Sequence, residues 1–90
     1  MRFEWVLAKA RLNLRKHGVS FEEAATALLE PFARTSPDSD HSSEEHRFIT
    51  FGASAKQRLL VVSFTWRRDV IRIISARLAT RRERAIYEER

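Results

Sequence analysis

The side chains in this sequence that could perform chemistry are mostly cationic. Lysine and arginine stabilise negative charge on phosphate groups, and histidine exchanges a proton near neutral pH. Metal-free cleavage of RNA needs both properties, because a base must activate the 2′-hydroxyl, a cation must stabilise the pentavalent phosphate and an acid must protonate the leaving 5′-oxygen. The candidate residues for such chemistry are Lys9, Lys16, His17, Arg58, Arg72 and Arg77.

Two of these candidates also have a structural explanation. Arg72 would have Val70 and Ile74 as its neighbours on one face of a strand, so an ion pair with Glu45 or another acid could hold it in place. His17 could equally be a packed histidine at the end of a helix. For each of these two residues, the residue pattern leaves both the chemical and the structural role open.

The charge of the chain is separated along the sequence. The net charge is +5, with +4 over residues 1–19, −3 over residues 20–66 and +4 over residues 67–90. If the two ends meet in the folded protein, they form a basic face that attracts phosphate backbones. The alternative is a solvated surface rich in arginine.

Composition excludes several classes of protein. The chain has 90 residues, and we expect one domain spanning residues 1–90. It contains no cysteine, which excludes disulfides, thiolate zinc sites and thiol catalysis. Its longest apolar run, residues 59–62, is too short to cross a membrane. We therefore expect a small cytoplasmic protein with no membrane contact.

A polar segment in the middle of the chain contains residue types that bind metals, namely Asp38, Asp40, His41 and His46. The spacing does not place both histidines on one helical face, and turn-forming residues fill positions 33–43. A solvated loop explains this segment better than a metal site. We therefore expect no metal, and because the sequence also lacks a glycine-rich phosphate loop we expect no cofactor.

The hydrophobic periodicity predicts an α+β domain with the order β-α-α-β-β-β-α. Short connections between the later strands favour an antiparallel sheet with helices packed on it. Gly18 is placed to end the first helix, and residues 20–23 and 80–83 have the pattern of capping boxes that open the other two. The predicted strands cover residues 2–5, 47–51, 59–66 and 70–75, and the first two helices cover residues 6–17 and 20–30.

Several segments together resemble one known family. The first half carries Phe3-Glu4-Trp5, Lys9, Asn13, Arg15-Lys16-His17-Gly18-Val19-Ser20-Phe21-Glu22-Glu23-Ala24, Asp38 and His41. The second half carries Glu45, Arg47-Phe48, Gly52, Leu60-Val61-Val62, Arg72-Ile73-Ile74-Ser75-Ala76-Arg77, Ala79-Thr80, Glu83 and Tyr87. These motifs cover nearly the whole chain and are similar to those of the BrnT toxins.

The resemblance implies a fold like that of the RelE and ParE toxins and the role of toxin in a type II toxin–antitoxin module. It implies a metal-independent endoribonuclease that cuts RNA, inhibits translation and is neutralised by a BrnA-like antitoxin. Operator DNA would be contacted only indirectly, through that antitoxin. The sequence departs from the family at Val6, where an acid is usual, and at Phe64, where histidine or tyrosine is frequent.

We assign the candidate site residues to two groups on this basis. The candidate catalytic residues are Lys9, His17, Arg58, Arg72 and Arg77, and the candidate RNA-binding residues are Arg15, Lys16 and Arg81. Two alternatives stay open, because one scaffold can serve several functions. One is a non-catalytic toxin that binds RNA or a protein, and the other is a degenerate toxin that only pairs with its antitoxin as a repressor.

Overall fold

The strands of the protein form a mixed sheet, against which the helices pack. The computed structural model describes residues 1–38 and 46–89. In chain order the elements are β1 (Arg2–Glu4), α1 (Leu7–His17), α2 (Phe21–Leu28), β2 (Arg34–Pro37), β3 (Arg47–Ala53), β4 (Leu59–Arg67), β5 (Val70–Leu78) and α3 (Arg81–Glu88). Within the described residues the sheet has five strands in the order β1-β5-β4-β3-β2. None of the helices in these two ranges is long and apolar enough to span a membrane.

Two features of the sheet correct the sequence prediction. The predicted loop at 33–43 contains β2, so the predicted order lacks one strand. All four residues of β2 are exposed at the sheet edge, so no hydrophobic pattern marks the strand and only its pairing with β3 defines it. The expected antiparallel sheet is also wrong at β1, which runs parallel to β5. The preference for antiparallel neighbours applies to consecutive strands, and these two are far apart in sequence.

The helix ends follow the local signals in most respects. Gly18 ends α1 in the left-handed conformation, with φ of 70°, and its N–H donates to Leu14 O. Ser20 Oγ accepts a hydrogen bond from the N–H of Glu23 at 3.0 Å. The predicted return contact from the Glu23 carboxylate is absent from the described hydrogen bonds, because that carboxylate binds other groups. The capping box that opens α3 at Thr80 is complete.

The hydrophobic core lies between α2 and one face of the sheet, which we name the helix face. Its fully buried members are Val19, Phe21, Ala24, Ala27, Leu60, Val62 and Ala76. Burying each of the large side chains contributes about 1.5–3 kcal/mol. Gly52 allows α2 to approach the sheet this closely, because a Cβ at that position would lie 2.4 Å from the carbonyl oxygen of Ala27.

A β-bulge interrupts the pairing of β4 with β5. Phe64 pairs with Ile73, whereas the preceding residue, Ser63, pairs with Ser75. Ile74 is therefore an extra residue on β5. An extra residue shifts the alternation of side chains by one, so the two halves of β5 present residues of opposite parity to a given face.

The bulge places three polar residues of β5 on the face opposite the helix face, which we name the open face. Arg72 and Arg77 are five residues apart, a spacing that would put them on opposite faces of a regular strand. The register pairs them with Thr65 and Val61, which are four residues apart on β4 and share a face. Ser75 lies two residues before Arg77, so all three are on the open face.

Asn13 joins the middle of α1 to the edge of β5. Its Nδ2 donates to Ala76 O at 2.8 Å, and its Oδ1 accepts from Ala76 N at 3.1 Å. The same Nδ2 donates to Val19 O at 2.9 Å. β1 pairs with β5 only at residues 70–72. At Ala76, further along β5, the Asn13 amide therefore satisfies the backbone N–H and C=O groups that a neighbouring strand would otherwise pair.

We expect Asn13→Ala to destabilise the protein by about 2–4 kcal/mol, because it leaves buried backbone groups of Ala76 and Val19 without partners. Urea denaturation measures this change. Arg11→Ala, at an exposed position of the same helix, should change the free energy of unfolding by less than about 0.5 kcal/mol. A loss from Asn13→Ala as small as that of the control would contradict the bridging role.

Candidate active site

A cleft between α1 and β5 brings together three of the predicted site residues. Its volume is about 240 Å³. Its lining residues are Lys9, Leu12, Asn13, Lys16, His17 and Ser75. Positions 9, 13, 16 and 17 share one side of a helix, so the anchored Asn13 fixes the side of α1 on which the cationic residues stand. We name this site the α1 cleft.

The α1 cleft has the charge and the groups needed to hold a phosphate. Lys9 and Lys16 are exposed and lie two helical turns apart, about 10 Å along the helix axis. His17 is half-buried at the end of α1, and Ser75 contributes a hydroxyl from β5. No acid is among the lining residues, all of which belong to the described part of the chain. Ammonium groups, an imidazole and a hydroxyl can therefore face one bound anion.

Arg72 lies on the same face of β5 as Ser75, and it pairs with Glu4. Arg72 Nε donates to Glu4 Oε2 at 2.8 Å, and the two side chains are each 46% exposed. Ion pairs this exposed contribute about 0–1 kcal/mol. The alternative partner proposed from the sequence, Glu45, lies outside the described residues. Arg72 is thus held on the open face, on the same strand as Ser75, by a weak pair.

Arg58 lies outside the α1 cleft, in an ion pair with a buried acid. Its Nε donates to Glu23 Oε2 at 3.0 Å, and its Nη2 donates both to Glu23 Oε1 and to the carbonyl oxygen of Gly18, the latter at 3.0 Å. The Glu23 side chain is only 2% exposed and also accepts from Ser54 Oγ. The hydrogen bond from Arg58 lowers the pKa of the Glu23 carboxyl. Arg58 therefore fixes the turn that follows His17.

Arg77 is also engaged in a structural pair. Its Nη1 and Nη2 donate to Glu83 Oε1 and Oε2 at 2.8 and 2.9 Å. The backbone N–H of Thr80 donates to the same carboxylate at 2.9 Å. The hydrogen bonds from Arg77 are the main cause that lowers the pKa of Glu83 to about 2. This bidentate pair ties the start of α3 to β5, and the residue is absent from the lining of the α1 cleft.

The remaining predicted RNA contacts, Arg15 and Arg81, are exposed on α1 and α3 and do not line the α1 cleft. The polar segment whose residue types could bind a metal, and which the sequence predicts to be a solvated loop, cannot be placed in full, because Asp40 and His41 lie outside the described residues. Over 1–38 and 46–89, no group of three or more histidine, aspartate or glutamate side chains could hold a metal ion.

The two departures from the family pattern lie away from the α1 cleft. Val6 is the N-cap of α1 and makes no side-chain capping bond, which an acid at this position would supply. Phe64 is buried on the helix face and stacks on Phe48, with ring centroids 5.6 Å apart. Ser75, which was not among the residues selected from the sequence, lines the α1 cleft, whereas Val6 and Phe64 do not. Its position depends on the bulge, for which the sequence carries no recognisable signal.

The fold and the α1 cleft define a class of protein: a small α+β domain with a basic site beside a mixed sheet. One family profile, described as the ribonuclease toxin BrnT of type II toxin–antitoxin systems, matches residues 5–83. This chain belongs to that family of ribonuclease toxins, as the motifs in its sequence indicated.

One solved structure supports the fold assignment. The crystal structure of the Brucella abortus ribonuclease toxin BrnT is similar to this chain with a TM-score of 0.70 and 23% sequence identity. The match covers 90% of this chain and 99% of that chain. No curated protein sequence matches the chain.

Acid should weaken the fold through Glu83. Its pKa is about 2 in the folded protein and ordinarily 4.5, so this carboxyl binds a proton more readily in the unfolded chain. The stabilisation is therefore complete above about pH 5 and is lost as the pH falls toward 2. Because both side chains of the pair are partly exposed, we expect about 1 kcal/mol from it. Urea denaturation at pH 7 and pH 3 measures this contribution.

Glu83→Gln removes the titrating group while keeping the size of the side chain. The difference in unfolding free energy between the wild type and Glu83→Gln should be smaller at pH 3 than at pH 7. Glu88→Gln is the matched control, because its contact with Arg84 is longer, at 3.8 Å, and more exposed. A pH-independent difference for Glu83→Gln would show that the pair contributes nothing to acid sensitivity.

Proposed function

We propose that this chain is the toxin of a type II toxin–antitoxin pair and that it cleaves RNA, without a metal ion, in the α1 cleft. The observation that carries the proposal is the convergence of Lys9, Lys16, His17 and Ser75 in one cleft free of acidic lining residues, within the described part of a chain of the BrnT family. A cationic cleft attracts the phosphate backbone, and an imidazole beside it can move a proton.

The proposed reaction is attack of the RNA 2′-oxygen on the adjacent phosphorus. The 2′-hydroxyl loses its proton, the bond from phosphorus to the 5′-oxygen breaks, and the leaving oxygen gains a proton, which yields a 2′,3′-cyclic phosphate and a 5′-hydroxyl. His17 exchanges the proton, while Lys9 and Lys16 stabilise the charge that accumulates on the phosphate. Ser75 donates a hydrogen bond to a phosphate oxygen.

Arg72 is proposed as a phosphate ligand that becomes available when RNA binds. Its pair with Glu4 is half-exposed and weak, so a phosphate can replace the carboxylate at little cost. The planar guanidinium matches two phosphate oxygens at once. Arg58 and Arg77 are reassigned as positioning residues, because their carboxylate partners are better buried and each is held by additional hydrogen bonds.

The proposed partner of the toxin is a BrnA-like antitoxin in the cytoplasm, with operator DNA bound only through the antitoxin. The scaffold is proposed to be related to those of RelE and ParE toxins. Apolar side chains that a partner protein could cover occur on α1, where Leu7, Leu12 and Leu14 are each more than half exposed. Leu12 also lines the α1 cleft, so a protein bound there would obstruct access for RNA.

We expect His17→Ala to lower the rate of RNA cleavage by about a hundredfold or more, because the proton carrier is lost. Lys9→Met, which removes a charge and keeps much of the side-chain length, should lower the rate by about 100- to 1000-fold. Cleavage of a labelled RNA in the presence of a chelator measures both effects and tests the absence of a metal requirement. Mass analysis of the products identifies the cyclic phosphate.

Lys56→Met is the matched control for Lys9→Met. Lys56 is an exposed lysine in the turn between β3 and β4 and does not line the α1 cleft. The Lys56→Met substitution should leave the rate of RNA cleavage within about twofold of the wild type, since a distant surface charge is screened by salt. Cleavage that persists in folded His17→Ala and Lys9→Met proteins would remove the α1 cleft from the mechanism.

Expression of this chain alone should arrest growth and shorten cellular RNA, and co-expression of its antitoxin should relieve both effects. The reason is that catalytic turnover allows few toxin molecules to destroy many RNA molecules. Growth curves together with total-RNA electrophoresis provide the measurement. Arrest with intact RNA would favour a non-catalytic toxin, and normal growth at verified expression would favour a degenerate one.

A further inference from the structure

A second cationic cleft lies where β4 turns into β5, and of its lining residues the proposed reaction engages only Arg72. Its volume is about 460 Å³. Its charged lining residues are Arg2, Glu4, Arg67, Arg68, Asp69 and Arg72. Four arginines against two acids give these residues a net charge of +2. We name this site the arginine cleft.

The arginine cleft and the α1 cleft lie along the same strand. Glu4 pairs with Arg72 across β1 and β5, and paired residues share a face, so the arginine cleft lies on the open face. Ser75, which lines the α1 cleft, is on that face three residues further along β5. This spacing corresponds to about 10 Å of strand. An extended polyanion that follows β5 would therefore contact both clefts.

The turn between β4 and β5 has an unusual backbone. Arg67 pairs with Val70, so Arg68 and Asp69 form a two-residue hairpin connection. Arg68 has φ of 57°, in the left-handed region that hairpin turns usually fill with glycine. An arginine there costs roughly 1 kcal/mol relative to glycine.

The backbone conformation alone does not indicate function, because Gln57 has φ of 62° in a turn that lines none of the described clefts. What distinguishes Arg68 is that the costly conformation coincides with a place in a concave cluster of arginines. A glycine would form the hairpin more favourably but would supply no charge. The side chain of Arg68 therefore contributes something that the turn itself does not need.

We propose that the arginine cleft binds the phosphate backbone of the RNA that flanks the nucleotide held in the α1 cleft. The inference rests on the proposed function and extends it to a second subsite. A nucleic-acid strand suits this arrangement better than an acidic protein segment, because its charges repeat along a line and the two clefts lie along one strand. Contacts of this kind position the strand and do not read its sequence.

The test uses oligonucleotides in which every sugar carries a 2′-O-methyl group, so that no cleavage can occur. A trinucleotide centred on the α1 cleft stops short of Arg68, which lies beyond the first residue of β5, whereas a dodecanucleotide reaches it. Arg68→Gly should weaken binding of the dodecanucleotide about three- to tenfold in fluorescence anisotropy and lower the slope of affinity against salt by about one. Binding of the trinucleotide should change by less than about twofold, since it makes no contact with Arg68.

Thermal melting separates binding from folding in this experiment. Arg68→Gly should not lower the melting temperature, because glycine adopts the left-handed conformation without strain. Arg68→Lys keeps the charge and should retain most of the affinity for the dodecanucleotide. Arg82→Ala removes one charge from an exposed position of α3 and should have the smaller effect on binding.

Three outcomes would overturn the proposal. They are equal losses in Arg68→Gly and Arg82→Ala, equal losses for the short and long oligonucleotides, and no binding of the dodecanucleotide by the wild type. Failure of the proposed function is separable, because the binding assay requires no cleavage. A protein that cuts no RNA but loses dodecanucleotide affinity on Arg68→Gly retains the arginine cleft as a nucleic-acid site. If the protein cuts RNA normally and its dodecanucleotide affinity is insensitive to Arg68→Gly, the arginine cleft is not a nucleic-acid site.

Discussion

The hydrogen bonds of Asn13 hold together the parts of the protein on which the candidate active site depends. A sheet edge leaves backbone N–H and C=O groups unpaired, and β1 covers only the first part of β5. The Asn13 amide satisfies both groups of Ala76 and also the carbonyl of Val19, so one side chain fixes α1 to the sheet and to the turn before α2. Lys9 and His17 lie about one helical turn to either side of this anchor, which sets their positions relative to β5.

The arginines of this chain serve different purposes, and the burial of their partners distinguishes them. The side chain of Glu23 is 2% exposed and that of Glu83 is 23% exposed, and both carboxylates accept further hydrogen bonds. Breaking such pairs leaves a carboxylate without its compensating charge, so their arginines support the fold. Glu4 is 46% exposed, and water can solvate it if Arg72 turns to another anion. A ligand that competes for guanidinium groups therefore gains access to Arg72 most easily.

The open face of the sheet derives its chemical character from an irregularity. Without the extra residue Ile74, one half of β5 would place its polar residues among the apolar side chains under α2. With it, the apolar residues on both sides of the bulge reach the core, and the polar residues on both sides reach the opposite face. A site for a charged ligand can thus exist on a strand whose other face is almost completely buried. The function then depends on which charges line the strand, since the fold alone does not specify a substrate.

The sequence by itself determined the features that depend on near neighbours. Helical periodicity, Gly18 and the Ser20 and Thr80 caps located the three helices. Residue patterns typical of strands located β3, β4 and β5, with a dense apolar run in β4. The motifs also indicated the family, and they placed Lys9, Lys16 and His17 on one helix. Only the tertiary structure decided the edge strand β2, the parallel pairing of β1, the bulge at Ile74 and the carboxylate partners of Arg58, Arg72 and Arg77. These features join residues that are distant along the chain or depend on the register of a partner strand, and local propensity carries no record of such pairings.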